Sequence, residues 1–530
     1  NAKVVASRGD AGEELLLTAT TSGLSSSSLN TYTAYDQQNP STVTLGNGYL
    51  VTTWDSYNQD GQYDGIYGQI HNADGEPIGG EFQINTHTNS HQRYPEVAAL
   101  KDGDFVVTWQ SYGQDSPHWY SYEGVFGQRF DTNGTAKGEE FQINTTTYYN
   151  QDTPAISGLD NGGFVVTWED DQKDGSGEGV YAQRFDNQSA PEGSEFRVNT
   201  RTSSSQENPS ITTLDNGSFV VAWQDGSTIY TQMFGEDGTP EGSETQVSNS
   251  SSSYEPSVAG LDSGGFVITW HNTNSYDGGI GNDIRGQMFD SSGQEVGTEF
   301  RANAYMTGSQ TDSDVTGLLG ANAGGFVVTW NDSGQDGSGT GVYGRIYDQQ
   351  GVAVGEDFRI NTETKASQAD ASVTALDDGG FFVTWESQNQ DGDAKGIYGQ
   401  RFDASGKALK FRSSLEVSET TGSTEEAVRL FGDIEVGDSY TVSIDSQGTT
   451  YTATYTAQAG ETMMDVRAEL VDEVNKTTGI PVTATVGGGV NEIFITANTG
   501  NAFTLTASAA NGLGVTLANN AIKTVTLRSE

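Results

Sequence analysis

The residues best suited to bind a ligand lie where a regular repeat is interrupted. The segment Ser116-Pro-His-Trp-Tyr-Ser-Tyr122 replaces a glycine-rich stretch, and Tyr148-Tyr149 follow in the next variable stretch. Aromatic rings combine flat apolar area with polar edges, which suits stacking on sugar rings. The sequence therefore predicts a ligand-binding cluster made of His118, Trp119, Tyr120, Tyr122, Tyr148 and Tyr149. The alternative is that the insertion packs on its neighbours or on another subunit.

Aspartates in glycine-rich loops form a second candidate site. The formal net charge of -47 should attract cations. Carboxylates and the carbonyls of glycine-rich turns are the oxygen ligands that Ca²⁺ takes. No loop has the D-x-D-x-D-G spacing of an EF-hand, and turn capping is the plain alternative. The candidate Ca²⁺ ligands are Asp60, Asp174, Asp336, Asp391 and Asp393.

Short catalytic motifs are absent from the sequence, which predicts that the chain is not an enzyme. None of the five histidines stands in H-E-x-x-H, and no serine stands in G-x-S-x-G. The lack of cysteine excludes thiolate nucleophiles, disulfides and cysteine-bound zinc. A carboxylate pair of the glycosidase type stays open, because 72 acidic residues make such pairs common by chance.

One phrase recurs seven times and reveals the elements that must position these residues. It reads Gly163-Phe-Val-Val-Thr-Trp168 in its third copy, and its tryptophans stand 47 to 60 residues apart. Each repeat adds three further strand-like pieces rich in β-branched and aromatic residues. The tryptophan strand is apolar on both faces, which is typical of stacked sheets. The seven repeated tryptophans are therefore expected in the core.

Seven repeats of four strands predict a mainly β fold, a seven-bladed β-propeller with four-stranded blades. We place an N-terminal arm at 1–27, the propeller at 28–415 and a small α+β module at 416–530. The two termini could share blade seven, or the piece from Lys410 could complete that blade alone. Tight Asp/Gly turns should open on one face of the ring. Long variable loops should open on the other face, where function is expected.

The phrase Gly163–Trp168, with Gly179-Val-Tyr-Ala-Gln-Arg-Phe-Asp186, resembles repeats of very large bacterial RTX-type, type I-secreted exoproteins. The resemblance covers residues 30 to 410. The tail, with Val436-Gly-Asp-Ser-Tyr-Thr-Val442, is similar to modules in such adhesins and in phage tail proteins. The resemblance implies adhesion, a cell-surface or matrix location and calcium, although the RTX nonapeptide repeats are absent.

These observations leave three functions open. The first is a non-catalytic, glycan-binding adhesin that is secreted or held at a bacterial surface or biofilm matrix, with a surface glycan or matrix polysaccharide as partner. The second is a self-assembling subunit of a filament, sheath or surface layer, which would associate through the N-terminal arm. The third is a polysaccharide-degrading propeller enzyme. The acidic charge argues against nucleic acid, and no apolar run long enough to insert into a membrane is present.

Overall fold

The structure is a computed structural model. It describes residues 2–5, 18–21, 26–72, 75–115, 122–273, 281–390, 392–409, 414–419, 425–431, 439–446, 449–456, 458, 463–477, 482–486, 492–497, 504–510 and 525–526.

Seven antiparallel sheets form the blades of a propeller, which confirms the predicted fold of seven four-stranded blades. The first strands are Gln37–Thr44, Gln92–Ala99, Gln151–Gly158, Gln206–Thr213, Ser253–Gly260, Gln310–Gly317 and Gln368–Ala375. The second strands are Leu50–Tyr57, Phe105–Tyr112, Phe164–Asp171, Phe219–Asp225, Phe266–Asn272, Phe326–Ser333 and Phe381–Gln388.

The third strands are Asp64–His71, Glu123–Phe130, Glu178–Phe185, Thr228–Phe234, Asp283–Phe289, Thr340–Tyr347 and Lys395–Phe402. The fourth strands of blades one to six are Pro77–Gln83, Ala136–Gln142, Pro191–Arg197, Pro240–Gln246, Glu295–Arg301 and Ala353–Arg359. A short 3₁₀ helix, Gly320–Asn322, lies in the first-to-second turn of blade six.

The core lies between the blades. The second strand of each blade is buried almost throughout, and all seven repeated tryptophans are at most 1% exposed. Trp168 of blade three, for example, packs in one cluster with Val106 and Val125 of blade two. The prediction that these tryptophans are core residues is therefore confirmed, because apolar side chains on both faces of a strand need a sheet on each side.

The first strands surround a central channel, and the fourth strands form the exposed rim. All seven first strands line one cavity of about 540 Å³ at the ring axis. In each described first strand, a bulge brings one residue into the left-handed region of backbone space, such as Asn39 (φ 53°) or Glu255 (φ 53°). The bulges turn these residues toward the channel mouth.

Both ends of the propeller region share the outer strand of blade seven. In the strand Lys395–Phe402, Ser27–Ser28 pairs with the middle residues Tyr398 and Gly399, and Ala408–Leu409 pairs with the last residues Arg401 and Phe402. Asn30 accepts a hydrogen bond from the Ile397 N–H at 2.8 Å through its Oδ1. Of the two closures left open by the sequence, the structure shows the shared one.

The antiparallel order puts two kinds of connection on opposite faces of the ring. The first-to-second and third-to-fourth turns open on one face, here the turn face. The second-to-third loops and the blade-to-blade loops open on the other, here the loop face. Six Asn/Gln pairs tie the blade-to-blade loops; one is Asn144, whose Nδ2 donates to Gln151 Oε1 at 3.0 Å. The scaffold of the loop face is thus fixed by side chains as well as by strands.

Ser26–Leu409 forms one compact unit, and Asn1–Ser25 with Lys410–Glu530 form a second. In the second unit Ala2–Val5 pairs with Thr18–Thr21. Its other strands are Ser414–Glu419, Glu425–Phe431, Ser439–Ser446, Thr449–Thr456, Val482–Val486, Glu492–Ala497, Thr504–Ala510 and Val525–Thr526, with one helix, Met463–Lys476. The small α+β module stays a prediction. Of the helices described, none has the length and apolar character to cross a bilayer.

Candidate functional site

Exposed tyrosines are concentrated on one part of the loop face. Among the described residues, seven tyrosines are 38 to 61% exposed, and all lie on or between blades one, two and three or in the loop that enters blade one. We call these seven, together with the half-buried Tyr122, the tyrosine sector. Its members are Tyr35, Tyr57, Tyr63, Tyr94, Tyr112, Tyr122, Tyr148 and Tyr149.

The rings of the tyrosine sector touch one another in small groups. Tyr122, at the start of the third strand of blade two, lies 5.8 Å from both Tyr148 and Tyr149 between ring centroids. Tyr148 and Tyr149 meet edge to face at 4.7 Å. The structure thus brings together three of the predicted ligand-binding residues. His118, Trp119 and Tyr120 lie outside the described residues.

Two tyrosines occupy a position that suits glycine better. Tyr35 (φ 64°) and Tyr149 (φ 66°) stand two residues before the first strands of blades one and three, in the left-handed region. Gly308 (φ 85°) fills the same position before blade six. A bulky residue there costs on the order of 1 kcal/mol, and such strain concentrates at functional sites. An aromatic ring retained at this cost favours a role in binding.

A buried aspartate holds two basic side chains on the loop face between blades one and two. Asp64 Oδ2 lies 2.5 Å from His91 Nδ1 and 2.5 Å from Arg93 Nε. The Asp64 side chain is 1% exposed, whereas the Arg93 side chain is 41% exposed. The ring of Tyr63 lies 4.7 Å from the His91 ring. Asp64 therefore orients a cation and an imidazole beside the tyrosine sector.

Glu123 has a carboxylate oxygen that receives no hydrogen bond from the described residues. It follows Tyr122 directly, its N–H donates to Asn150 Oδ1 at 3.2 Å, and its Oε2 is buried without a partner among the described residues. Burial raises the pKa of Glu123 to about 7, and the Asp152 carboxylate adds to this while Arg93 opposes it. Burial also raises the pKa of Asp152 to about 6. Glu123 can hold a proton near neutral pH, as a general acid must, whereas Asp152 is mostly ionised there.

Other buried carboxylates near the mouth serve the ring itself. The residue directly after each repeated tryptophan, here the link residue, reaches the bulge of the next blade. Glu169 Oε1 accepts the Asn208 N–H at 2.6 Å, and Asp55 Oδ1 accepts the Tyr94 N–H at 3.3 Å. Six of the seven junctions carry this bond in the described residues; the remaining acceptors are Gln110, Gln224, Asn331 and Glu386. The six link residues that make this bond are structural.

Four of the aspartates predicted to bind Ca²⁺ are described, and they accept backbone hydrogen bonds in separate blades. Asp60, Asp174 and Asp336 each accept a backbone N–H two residues ahead, at 2.9 to 3.1 Å. Asp393 accepts the N–H of Tyr35 at 3.3 Å, and Asp391 lies outside the described residues. The structure does not bring these aspartates together, and calcium binding stays a prediction.

Sequence reasoning missed Asp64, Arg93 and Glu123. The position of Arg93 holds Gln38 in blade one and Ala369 in blade seven, so a comparison of the seven repeats position by position could have found Arg93. Asp64 and Glu123 share one repeat position, which also holds an acid, Glu178, in blade three, and their sequence context alone does not single them out.

No protein-family model matches the sequence, and no curated protein matches it. Solved structures do match. A crystal structure from Dyadobacter fermentans, of unknown function, is 11% identical, with 71% of this chain and 96% of that chain covered and a TM-score of 0.43. A PL25 polysaccharide lyase, an ulvan lyase, is 12% identical over 72% of this chain and 96% of its own, with a TM-score of 0.45.

An α-L-arabinofuranosidase from Fusarium graminearum is also 12% identical, covering 59% of this chain and 93% of its own at a TM-score of 0.43. The prediction that this chain is not an enzyme is contradicted by these matches, which include enzymes, and is withdrawn. Its physical basis was weak: in a propeller, catalytic groups come from separate blades and leave no short motif. Likeness at this level of identity and superposition assigns no activity to the chain.

Proposed function

We propose that this propeller is a glycan-active protein that binds a polysaccharide across the tyrosine sector. The observation that carries the proposal is that, among the described residues, the exposed tyrosine rings lie on blades one to three of the loop face or in the loop that enters blade one. Rings such as Tyr148, which is 61% exposed, offer the flat apolar area on which sugar rings stack. The rigid ring beneath them keeps the entropy cost of binding low.

The charge of the chain narrows the class of polysaccharide. A formal net charge of -47 repels polyanions over the range of a Debye length. The exposed Arg93 side chain is already paired with Asp64. A neutral polysaccharide is therefore the ligand that the site accepts at lowest electrostatic cost.

Binding is tested by affinity electrophoresis against neutral and uronate-bearing polysaccharides. The double substitution Tyr148→Ala/Tyr149→Ala should weaken binding by about 10- to 100-fold, since each ring contributes roughly 1 kcal/mol. Lys365, in the loop between blades six and seven, is the repeat counterpart of Tyr148. Lys365→Ala is therefore the matched control. Equal binding by the double variant and wild type would exclude the tyrosine sector as the site.

Cleavage of the bound polysaccharide is a second candidate function, and Glu123 is the observation that favours it. Its half-buried carboxyl, with a pKa near 7, lies beside Tyr122 and stays protonated where an ordinary glutamate is ionised. In that state it could donate a proton to a glycosidic oxygen of a chain stacked on the tyrosine sector. Asp152, whose carboxylate raises the pKa of Glu123, could serve as its partner in acid–base chemistry.

The release of reducing or unsaturated ends from the bound polysaccharide tests this candidate. Glu123→Gln should lower the rate by about 10²- to 10⁴-fold, as expected for loss of a general acid, while binding is kept. Glu169→Gln is the control, because glutamine already serves as the link residue in blades two and four. No product from any bound polysaccharide, or full activity in Glu123→Gln, would refute catalysis by Glu123 and leave binding to be judged separately.

A further inference from the structure

One of the seven blade junctions breaks the rule that the other six follow. The link residue between blades five and six is His271, and the bulge residue that faces it is Asp312. The described structure shows no link bond here. His271 is only 8% exposed, and its buried Nδ1 makes no hydrogen bond within the described residues. Nδ1 instead lies 3.1 Å from Glu255 Oε2, a bulge residue of blade five.

Three side chains converge at this junction. One ligand atom from each of Glu255, His271 and Asp312 lies within 4.8 Å of the other two. Two ligands held about 2.0–2.1 Å from one ion at a tetrahedral angle are about 3.3 Å apart, so the contact of 3.1 Å suits a shared ion. No other group of three such side chains is found among the described residues.

The surroundings of this cluster resemble those of a supported metal site. Asn331 Nδ2 donates to Asp312 Oδ2 at 2.6 Å, and Thr311 Oγ1 donates to the same oxygen at 2.9 Å. The Tyr254 ring stacks on the His271 ring at 5.5 Å. Such outer contacts fix the orientation of ligands. Within the described chain, neither carboxylate pairs with a lysine or arginine, and the basic group beside the two acids is the His271 imidazole.

We propose that Glu255, His271 and Asp312 bind a divalent transition-metal ion. An imidazole nitrogen with two carboxylates is a donor set that Zn²⁺ takes, whereas Ca²⁺ and Mg²⁺ favour oxygen alone. Glu255 and Asp312 line the central cavity, and the Glu255 side chain is 47% exposed. The coordination positions that the protein leaves open therefore face the channel, where water or an oxygen of a ligand can fill them. The site is independent of the tyrosine sector and of any glycan.

Equilibrium dialysis of the chelator-treated full chain against Zn²⁺, with metal analysis, tests the proposal. Wild type should bind one Zn²⁺ more than the His271→Gln variant at micromolar free metal, and Ca²⁺ should not compete at equal concentration. His271→Gln installs the link residue of blades two and four, so the ring should fold. Glu169→Gln, which changes the same position in blade three, is the matched control and should keep the full Zn²⁺ stoichiometry.

A second variant controls for a folding defect in His271→Gln. Asp312→Asn places at the bulge the residue found there in blades one and four, and it should weaken Zn²⁺ binding by at least about tenfold. Zn²⁺ should also raise the thermal midpoint of wild type but of neither variant. Equal Zn²⁺ binding by wild type and both variants, or displacement of Zn²⁺ by equimolar Ca²⁺, would overturn the proposal.

Discussion

On the loop face, blades one to three have the same backbone arrangement as blades four to seven but carry different side chains. The second strands of blades one and two end in Tyr57 and Tyr112, whereas that of blade six ends in Ser333. Tyr149 corresponds to Ala366 in the loop between blades six and seven. The tyrosines are thus substitutions at repeat positions and not products of a different fold.

The link residues explain why this divergence is tolerated. The bond from a link residue to the next bulge occurs in both halves, with Asp55 in blade one and Gln224 in blade four. Stability therefore resides in the buried second strands and the links, and loop positions can change without loss of the ring. Functional differences between blades are best sought at exposed repeat positions.

Exchanging the second-to-third loop of blade two should have the largest effect on polysaccharide binding. Replacing 114–122 of blade two by the Gln335–Gly339 sequence of blade six should lower polysaccharide binding by more than about 100-fold, because several rings are removed at once. The thermal midpoint should stay near that of wild type, since the flanking strands are unchanged. Affinity electrophoresis and calorimetry measure the two effects. Retained affinity would place the ligand elsewhere.

The acidic link residues give blades one, three and seven a dependence on pH that neutral links lack. Burial raises the pKa of Glu169 to about 8, so the folded state keeps a proton that the unfolded state has lost. This contribution to stability is present below about pH 4.5 and is lost as the pH rises to about 8. Glu169→Gln should raise the free energy of unfolding at pH 9 by roughly 1–3 kcal/mol and change it little at pH 5.

Denaturant titrations at the two pH values check this expectation, with Lys365→Ala as a neutral control. A Glu169→Gln variant with the same pH dependence as wild type would show that the link carboxylate is ionised in the folded state.

Replacing the strained Tyr149 should give the smallest change in stability. Tyr149→Asn relieves a left-handed backbone position, so the unfolding free energy should rise by a few tenths to about 1 kcal/mol while glycan binding falls. Ala366→Asn tests the same strain relief outside the tyrosine sector. Loss of stability in Tyr149→Asn would show that the ring packs for the fold rather than for a ligand.

The sequence predicted most of the propeller architecture but few residues of the candidate functional site. Seven tryptophans at blade spacing predicted the ring, because each blade must bury the same apolar strand. The sequence also predicted Tyr122, Tyr148 and Tyr149 as neighbours, since the second-to-third loop of blade two and the loop between blades two and three open on one face. It could not place His271 beside Asp312, because two bulges and a blade junction set that contact.

The metal ligands and the withdrawn prediction of a non-enzyme share one cause. Groups that are 29 to 57 residues apart, such as Glu123 with Asp152 or Glu255 with Asp312, come near each other only when neighbouring blades pack together. Self-association through residues 1–27, the adhesin role, the biofilm or surface location and the RTX resemblance stay predictions.

Hydrogen exchange of the wild-type chain, with and without a saturating neutral oligosaccharide from the polysaccharide screen, tests the central claim most directly. The ligand should slow exchange in the loops at 57–63, 112–115 and 145–150, and leave the loops of blades four to seven unchanged. Protection confined to blades four to seven, or to the turn face, would contradict a glycan site in the tyrosine sector.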